Sequence, residues 1–252
     1  MGINRVEPYE ALADVYQVAG FTNYAAGLAQ SLLSIAFDLN WTGKTLIDLG
    51  CGIGELAVWF GGRQIRSLGV DSSPSMIRVA DAKAIDAHVD VTFAAGDIRT
   101  YAPTTAFDLA VCIGGTVNLM PTLRDVEALF RVAHTALSPR KLFFFDLRTI
   151  QGLAKTDAMR ILANTDEVFI ATTSSFNFET LALTSQYTIL RDGESGWTRA
   201  EETHISRGYT AQTVARLLQN AGFRLLQTIT PNSAPLDAQH HDDMLLFVAI
   251  RD

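Results

Sequence analysis

The sequence predicts an α/β protein: a seven-stranded, mostly parallel sheet with helices on both faces, an N-terminal helical cap and an inserted antiparallel β lid. Three observations carry this reading. From Lys44 to Leu147, short apolar runs alternate with helix-like stretches, the pattern of a parallel sheet whose crossovers are helices. Over residues 167–209 that rhythm gives way to three long, Thr-rich segments that alternate polar and apolar side chains, as half-exposed antiparallel strands do. After residue 210 the α/β rhythm resumes. The expected division is a helical cap over 1–40, a core over 41–150 and 210–252, and a lid over 151–209.

In chain order, residues 9–38 read as helical, with Leu28, Leu32, Leu33 and Ile35 to Phe37 on one face and a break at Gly20. TLIDLG (45–50) is the first strand, followed by a helix from Glu55. SLGVD (67–71) is the second, and Ser73-Pro74 opens the next helix in the favoured cap-then-proline order. VTFAAGD (91–97) and FDLAVCIG (107–114) are the third and fourth. The helix DVEALFRVAHTAL (125–137) leads to the strand KLFFFDL (141–147). The lid segments are EVFIATTSSFNF, TLALTSQYTIL and GWTRAEETHISRGY, with Asp192-Gly193 as a turn signal. The helix TAQTVARLLQNAG (210–222), FRLLQTITP and MLLFVAIRD close the core.

Composition excludes several classes. The 252 residues are 48% hydrophobic and 19% charged, enough for a sizeable core without staples. Twenty Lys+Arg against 27 Asp+Glu leave a net charge of −7 and no basic block, which argues against nucleic acid as a partner. No apolar run approaches membrane-spanning length, and MGINRVEPYE has no apolar core of a signal peptide, so a cytoplasmic protein is expected. Two cysteines are too few for a disulfide framework or a structural zinc site. His240-His241-Asp242-Asp243 reads as a solvated loop, since adjacent side chains rarely converge on one ion. No metal is expected.

The strongest motif is Asp48-Leu49-Gly50-Cys51-Gly52-Ile53-Gly54-Glu55, at a strand-to-helix turn. Glycines there allow a tight turn and let a ligand approach the backbone. Asp71 stands at the tip of the second strand, where a carboxylate can accept from both hydroxyls of a ribose. A nucleoside-containing cofactor follows, either NAD(P) or S-adenosylmethionine. The dinucleotide loop has the spacing GxGxxG and receives a pyrophosphate on the helix N-terminus. Here the third glycine comes one residue early, and Asp48 and Glu55 put negative charge beside the turn. Those charges repel a pyrophosphate and suit a cofactor carrying an ammonium and a sulfonium. Cys51 serves as a small residue in the turn, and Cys112 as strand core.

LIDLGCGIGEL, LGVDSSPSM, AAGDI and FDLAVCIGG, in this order, resemble the four cofactor motifs of class I methyltransferases, a family with a Rossmann-like core. The resemblance implies S-adenosyl-L-methionine as cofactor. It places Asp48, Gly50, Cys51, Gly52 and Gly54 beside the methionine part, and Asp71 on the ribose. Ser72 and Met76 would wall the adenine, Asp97 would accept from its amino group, and Ile98 and Ile113 would lie alongside. The N-terminal DVYQVAGFTNYAAGLA, the VNLMP after the fourth strand and EETHISRGYTAQTVARLLQNAGF are similar to small-molecule methyltransferases with an antiparallel lid, such as sugar-amine N,N-dimethyltransferases. The aminosugar enzymes that resemble this chain carry a histidine where Asn118 stands.

The expected function is methyl transfer to a small molecule, at an amine or a hydroxyl, by in-line displacement. No base declares itself at family spacing, which leans towards nitrogen. The other readings are a cofactor-binding regulatory protein without turnover, and a protein or nucleic-acid methyltransferase. Tyr16 and Tyr24 flank the glycine break and could close over the cofactor. His204 and Arg207 lie in the last lid segment on opposite faces of the strand, so at most one of them is expected to point inward unless the strand bulges. Asn118 follows the fourth strand, where its amide would orient a substrate without taking a proton, or else cap the turn.

Overall fold

The computed structural model describes residues 4–193, 196–230 and 243–252. In chain order its elements are β1 (Asn4–Arg5), α1 (Asn23–Asp38), β2 (Thr45–Leu49), α2 (Glu55–Gly61), β3 (Arg66–Asp71), α3 (Pro74–Ala87), β4 (Val91–Ala95), β5 (Phe107–Cys112) and α4 (Leu123–Ala136). There follow β6 (Leu137–Arg148), α5 (Ile150–Ala154), β7 (Met159–Asn164), β8 (Val168–Asn177), β9 (Ala182–Arg191), β10 (Thr198–Arg207), α6 (Ala211–Asn220), β11 (Phe223–Ile229) and β12 (Met244–Arg251).

The core is a seven-stranded sheet in the order β11-β12-β6-β5-β2-β3-β4. Only β12 runs against the others, pairing antiparallel with both β6 and β11. Strand β6 shows how sequence alternation builds two layers. Phe143, Phe145 and Leu147 face the side covered by α4 and α6, while Leu142 and Phe144 face α1 and α2. The chain leaves β2 towards β3 on one side, and β5 pairs on the other, so the sheet changes direction between β2 and β5. Open α/β sheets bind ligands in the crevice at such a switch point, outside the carboxyl ends of the strands.

A second, five-stranded sheet has the order β1-β10-β9-β8-β7 and stands over that edge. Strands β8, β9 and β10 fall on the three alternating segments; β7 and β1 were not anticipated. The N-terminal expectation needs correcting. Residues 9–22 hold only a short 3-10 turn at Ala13–Val15, and the helix begins at Asn23. The cause is a competing acceptor: the N–H groups of Tyr9, Ala11 and Leu12 bond to the buried carboxylate of Glu202, at 2.8, 2.6 and 2.8 Å. Gly20, at φ +80°, then turns the chain into α1.

Candidate active site

The loop after β2 takes its shape from its glycines. Gly54 has φ +77° and is the N-cap of α2, and a Cβ there would lie 2.5 Å from the Phe93 ring. Gly52 also has positive φ, but nothing lies within 4 Å of where its Cβ would be, so its backbone faces open space. Its N–H donates to Asp71 Oδ2 at 2.9 Å, and Ser73 N–H donates to Asp71 Oδ1 at 2.9 Å. The tip carboxylate thus ties the glycine loop to the start of α3 and keeps further lone pairs for hydroxyl donors. Burial pushes its pKa up against these hydrogen bonds.

A cavity of about 1460 Å³ opens between these tips and the inner face of the five-stranded sheet. The core contributes Gly50 to Gly52, Asp71, Ser72 and Met76, then Asp97 and Ile98 beyond β4, and Ile113 beyond β5. Tyr16 and Tyr24 line it from the N-terminal segment. Asp48 and Gly54 do not. Asp48 is buried beneath the loop, where burial and the nearby Asp71 push its carboxyl up to about 7 while the Ala57 N–H opposes the shift. Asp97 is reached by Arg99 through Nη2–Oδ2 at 2.6 Å, and Arg99 also meets Asp125 at 2.9 Å. That guanidinium holds the Asp97 carboxyl below its ordinary range. Glu55 lines the cavity but forms an ion pair with Lys83 at 2.6 Å, so it repels a pyrophosphate less than the sequence implied.

The second sheet supplies the opposite wall through an in-register row of polar side chains. Ser174, Ser185 and His204 stand directly opposite one another on β8, β9 and β10, and all three line the cavity. His204 Nε2 lies 2.8 Å from Glu202 Oε2, with the ring 4.3 Å from Tyr9 and 4.8 Å from Tyr187. Burial would raise the Glu202 carboxyl, but His204 and the three backbone N–H groups hold it below its ordinary value. Of the pair named on β10, His204 enters the wall and Arg207 does not; only the Arg207 carbonyl takes part, as an acceptor.

Asn118 does not present a free amide to a substrate. It is 1% exposed; its Nδ2 donates to the carbonyls of Arg148 at 3.0 Å and Arg207 at 2.8 Å, while its Oδ1 accepts the Arg148 N–H at 2.8 Å. The side chain therefore pins the end of β6 to the end of β10, and it lines only a side pocket of about 170 Å³.

Several residues escaped sequence reasoning. Asp146, fully buried, accepts the N–H groups of Gly114 and Gly115 at 2.9 and 2.8 Å and holds the turn after β5; burial pushes it up to about 6. A carboxylate near the end of an otherwise apolar strand was the available signal. Glu202 had a signal too, since it lies two residues from His204 on one strand face. Tyr9 had none. Among the described residues no group of three or more His, Cys, Asp or Glu could hold a metal ion, and no helix is long and apolar enough to cross a membrane. His240, His241 and Asp242 lie outside the described residues.

These residues fit a nucleoside that carries a positive charge. The bare Gly52 backbone, the Asp71 carboxylate and the apolar Met76 and Ile98 surround one space, and Asp48 lies beneath it. Fold and loop together define a class I enzyme that uses S-adenosylmethionine. The chain belongs to the family described as methyltransferase domain, whose profile matches residues 21–228. It is 24% identical over 212 residues to the Bacillus subtilis (strain 168) methyltransferase YqeM, covering 81% of this chain and 83% of that one. A crystal structure of an S-adenosylmethionine-dependent methyltransferase from Clostridium acetobutylicum superposes with a TM-score of 0.77 at 18% identity, over 89% of this chain and 91% of the other. CalS10 of Micromonospora echinaspora, an amino pentose methyltransferase solved with S-adenosylmethionine, gives 0.70 at 16% identity, over 96% and 97%. The protein is an S-adenosylmethionine-dependent methyltransferase.

Proposed function

We propose that the protein methylates a small molecule held between the cofactor loops and the five-stranded sheet, which serves as a lid, and that His204 takes the acceptor's proton. The observation that carries this reading is His204, in the wall of a cavity of about 1460 Å³ and paired behind it with the buried Glu202. Single-ligand pockets run to roughly 300–1,000 Å³, so a second molecule fits beside the cofactor. The amino pentose activity of CalS10 supports a small polar acceptor. The bound cofactor supplies a methyl group already activated on sulfonium, so the chain's task is to align the acceptor, exclude water and hold a proton. Glu202, kept ionised, receives the Nε2–H of His204, which leaves the Nδ1 lone pair as proton acceptor. The edge contacts with Tyr9 and Tyr187 fix the ring plane. The proton shed by the acceptor nitrogen or oxygen as it gains the methyl passes to Nδ1. This base offsets the sequence's lean towards nitrogen, since a hydroxyl acceptor is served as well.

The test is a screen of amine and hydroxyl metabolites with labelled S-adenosylmethionine, followed by His204→Gln. A general base is worth about 10²–10⁴-fold, so kcat should fall by that order while S-adenosylhomocysteine affinity is retained. An unchanged kcat would remove His204 from the chemistry.

A further inference from the structure

Resting on that small-molecule reading, we propose that the acceptor atom is an amine nitrogen, held as an alkylammonium in a box of aromatic rings made by His204, Tyr9, Tyr16, Phe21 and Tyr187. In that order the rings form a closed circuit. Successive centroids are 4.3, 6.4, 5.0, 6.0 and 4.8 Å apart, the last step returning from Tyr187 to His204. At four corners the ring planes meet at 62–77°, and at the fifth, Tyr16 with Phe21, at 35°. Adjacent walls of a box meet at such steep angles. All five rings line the main cavity, and all five also line the side pocket of about 170 Å³, so the circuit borders open space. A cavity of ~150 Å³ takes a molecule the size of benzene, so the head of an alkylammonium fits.

The circuit closes through contacts far apart in the chain. Glu202 accepts the Tyr9 N–H at 2.8 Å and lies 2.8 Å from His204 Nε2, so one carboxylate sets both rings. The Phe21 N–H donates to the Tyr16 carbonyl at 3.3 Å across the turn at Gly20, which brings those two rings together. Tyr187 stands opposite Glu202 on β9 and completes the circuit.

The face of an aromatic ring is its negative side, and a cation within about 6 Å of the centroid is drawn to it, most strongly where water is excluded. Sides as short as these leave the middle of the circuit within that reach. Burial first, then the neighbouring tyrosines and Asp71, push the Tyr9 and Tyr16 pKa values up, so these walls stay uncharged. Glu202 and Asp71 both act on Tyr9, and the field of two carboxylates favours a cation there. Arg148 also lines the side pocket, but its Nη2 donates to Thr156 Oγ1 and the Asp243 charge acts on it.

The base alone serves nitrogen and oxygen alike; the box does not. As the acceptor nitrogen bonds to the methyl carbon, the C–S electron pair stays with sulfur and the positive charge moves to nitrogen, among the rings. The proton that a primary or secondary amine then sheds carries the charge to His204 Nδ1, and Glu202 faces the same ring from its Nε2 side. A hydroxyl acceptor ends as an uncharged ether and gives the rings no charge to hold.

The experiment uses the whole chain saturated with S-adenosylhomocysteine and titrates choline and its uncharged carbon isostere, dimethylbutanol, by calorimetry. Choline should bind once per chain and at least about tenfold more tightly than dimethylbutanol. Phe21→Leu and Tyr187→Leu each keep an apolar side chain and remove a ring. Each should weaken choline at least about fivefold, while dimethylbutanol and S-adenosylhomocysteine bind within about twofold of the parent. Tyr187→Phe keeps the ring without its hydroxyl and should bind choline within about twofold of the parent. Should one leucine variant not fold, the other decides the matter; should neither fold, choline against dimethylbutanol in the parent decides it. Choline no tighter than dimethylbutanol, choline affinity unchanged in the leucine variants, or equal weakening of both ligands would overturn the proposal. Methyl transfer confined to hydroxyl metabolites would overturn the box and leave the small-molecule function standing. Transfer confined to a protein or nucleic acid would overturn both.

Discussion

Replacing Asp48 by asparagine should stabilise the protein, and by an amount that grows with pH. Asp48 is 2% exposed at the end of β2, and burial with Asp71 nearby pushes its carboxyl up to about 7 from an ordinary 3.8. The unfolded chain therefore releases this proton first, and the folded state loses stability as pH rises from about 4 to about 7. Integrated over that window, the cost at pH 7 is roughly 4 kcal/mol, and at pH 5 roughly 2 kcal/mol. Asparagine keeps the shape and removes the charge. Its change in packing and its weaker acceptance of the Ala57 N–H are independent of pH, so they shift the whole comparison without tilting it. Asp71 is present in both proteins, and its own contribution largely cancels. The assay is urea unfolding of parent and Asp48→Asn at pH 5 and pH 7 without cofactor, each with its own denaturant slope. The stability difference should move in favour of the variant by roughly 2 kcal/mol between the two pH values. Parallel profiles would refute the reasoning, since they would mean that Asp48 is ionised in the folded chain as easily as in the unfolded one.

Asp71→Asn should weaken S-adenosylhomocysteine by ~1–3 kcal/mol in calorimetry, because the ribose loses a charged acceptor; an unchanged affinity in a folded variant would place the ribose elsewhere. Asn118→Ala strands two carbonyls and one N–H of Arg148 and Arg207, and should cost about 3 kcal/mol in urea unfolding while cofactor affinity changes little. A stability loss well under 1 kcal/mol would show that the junction of β6 and β10 does not depend on this amide.

Much of the core was legible because its signals are local. The order of strand, glycine loop and helix, the carboxylate at the tip of β3 and the Ser73-Pro74 start of α3 are all set within a few residues of chain. Period-two alternation marked β8, β9 and β10 for the same reason, and parity alone separated His204 from Arg207. Where a distant group competed, local reading failed. Residues 9–12 have helix-compatible composition, but the N–H groups of Tyr9, Ala11 and Leu12 are taken by a carboxylate some 190 positions away. Asn118 looked like a turn residue beside a ligand site, and its amide went to backbone that arrives from two other strands.

By itself the sequence determined the layered α/β core, the cofactor loop and the chemistry that loop selects, because each depends on spacing along the chain. Only the tertiary structure decided which side chains face one another across the cavity. A strand pattern states which face a residue takes but not what stands opposite, so Tyr9 against the Glu202–His204 pair, and Asn118 against the backbone of Arg148 and Arg207, became neighbours only when the chain folded.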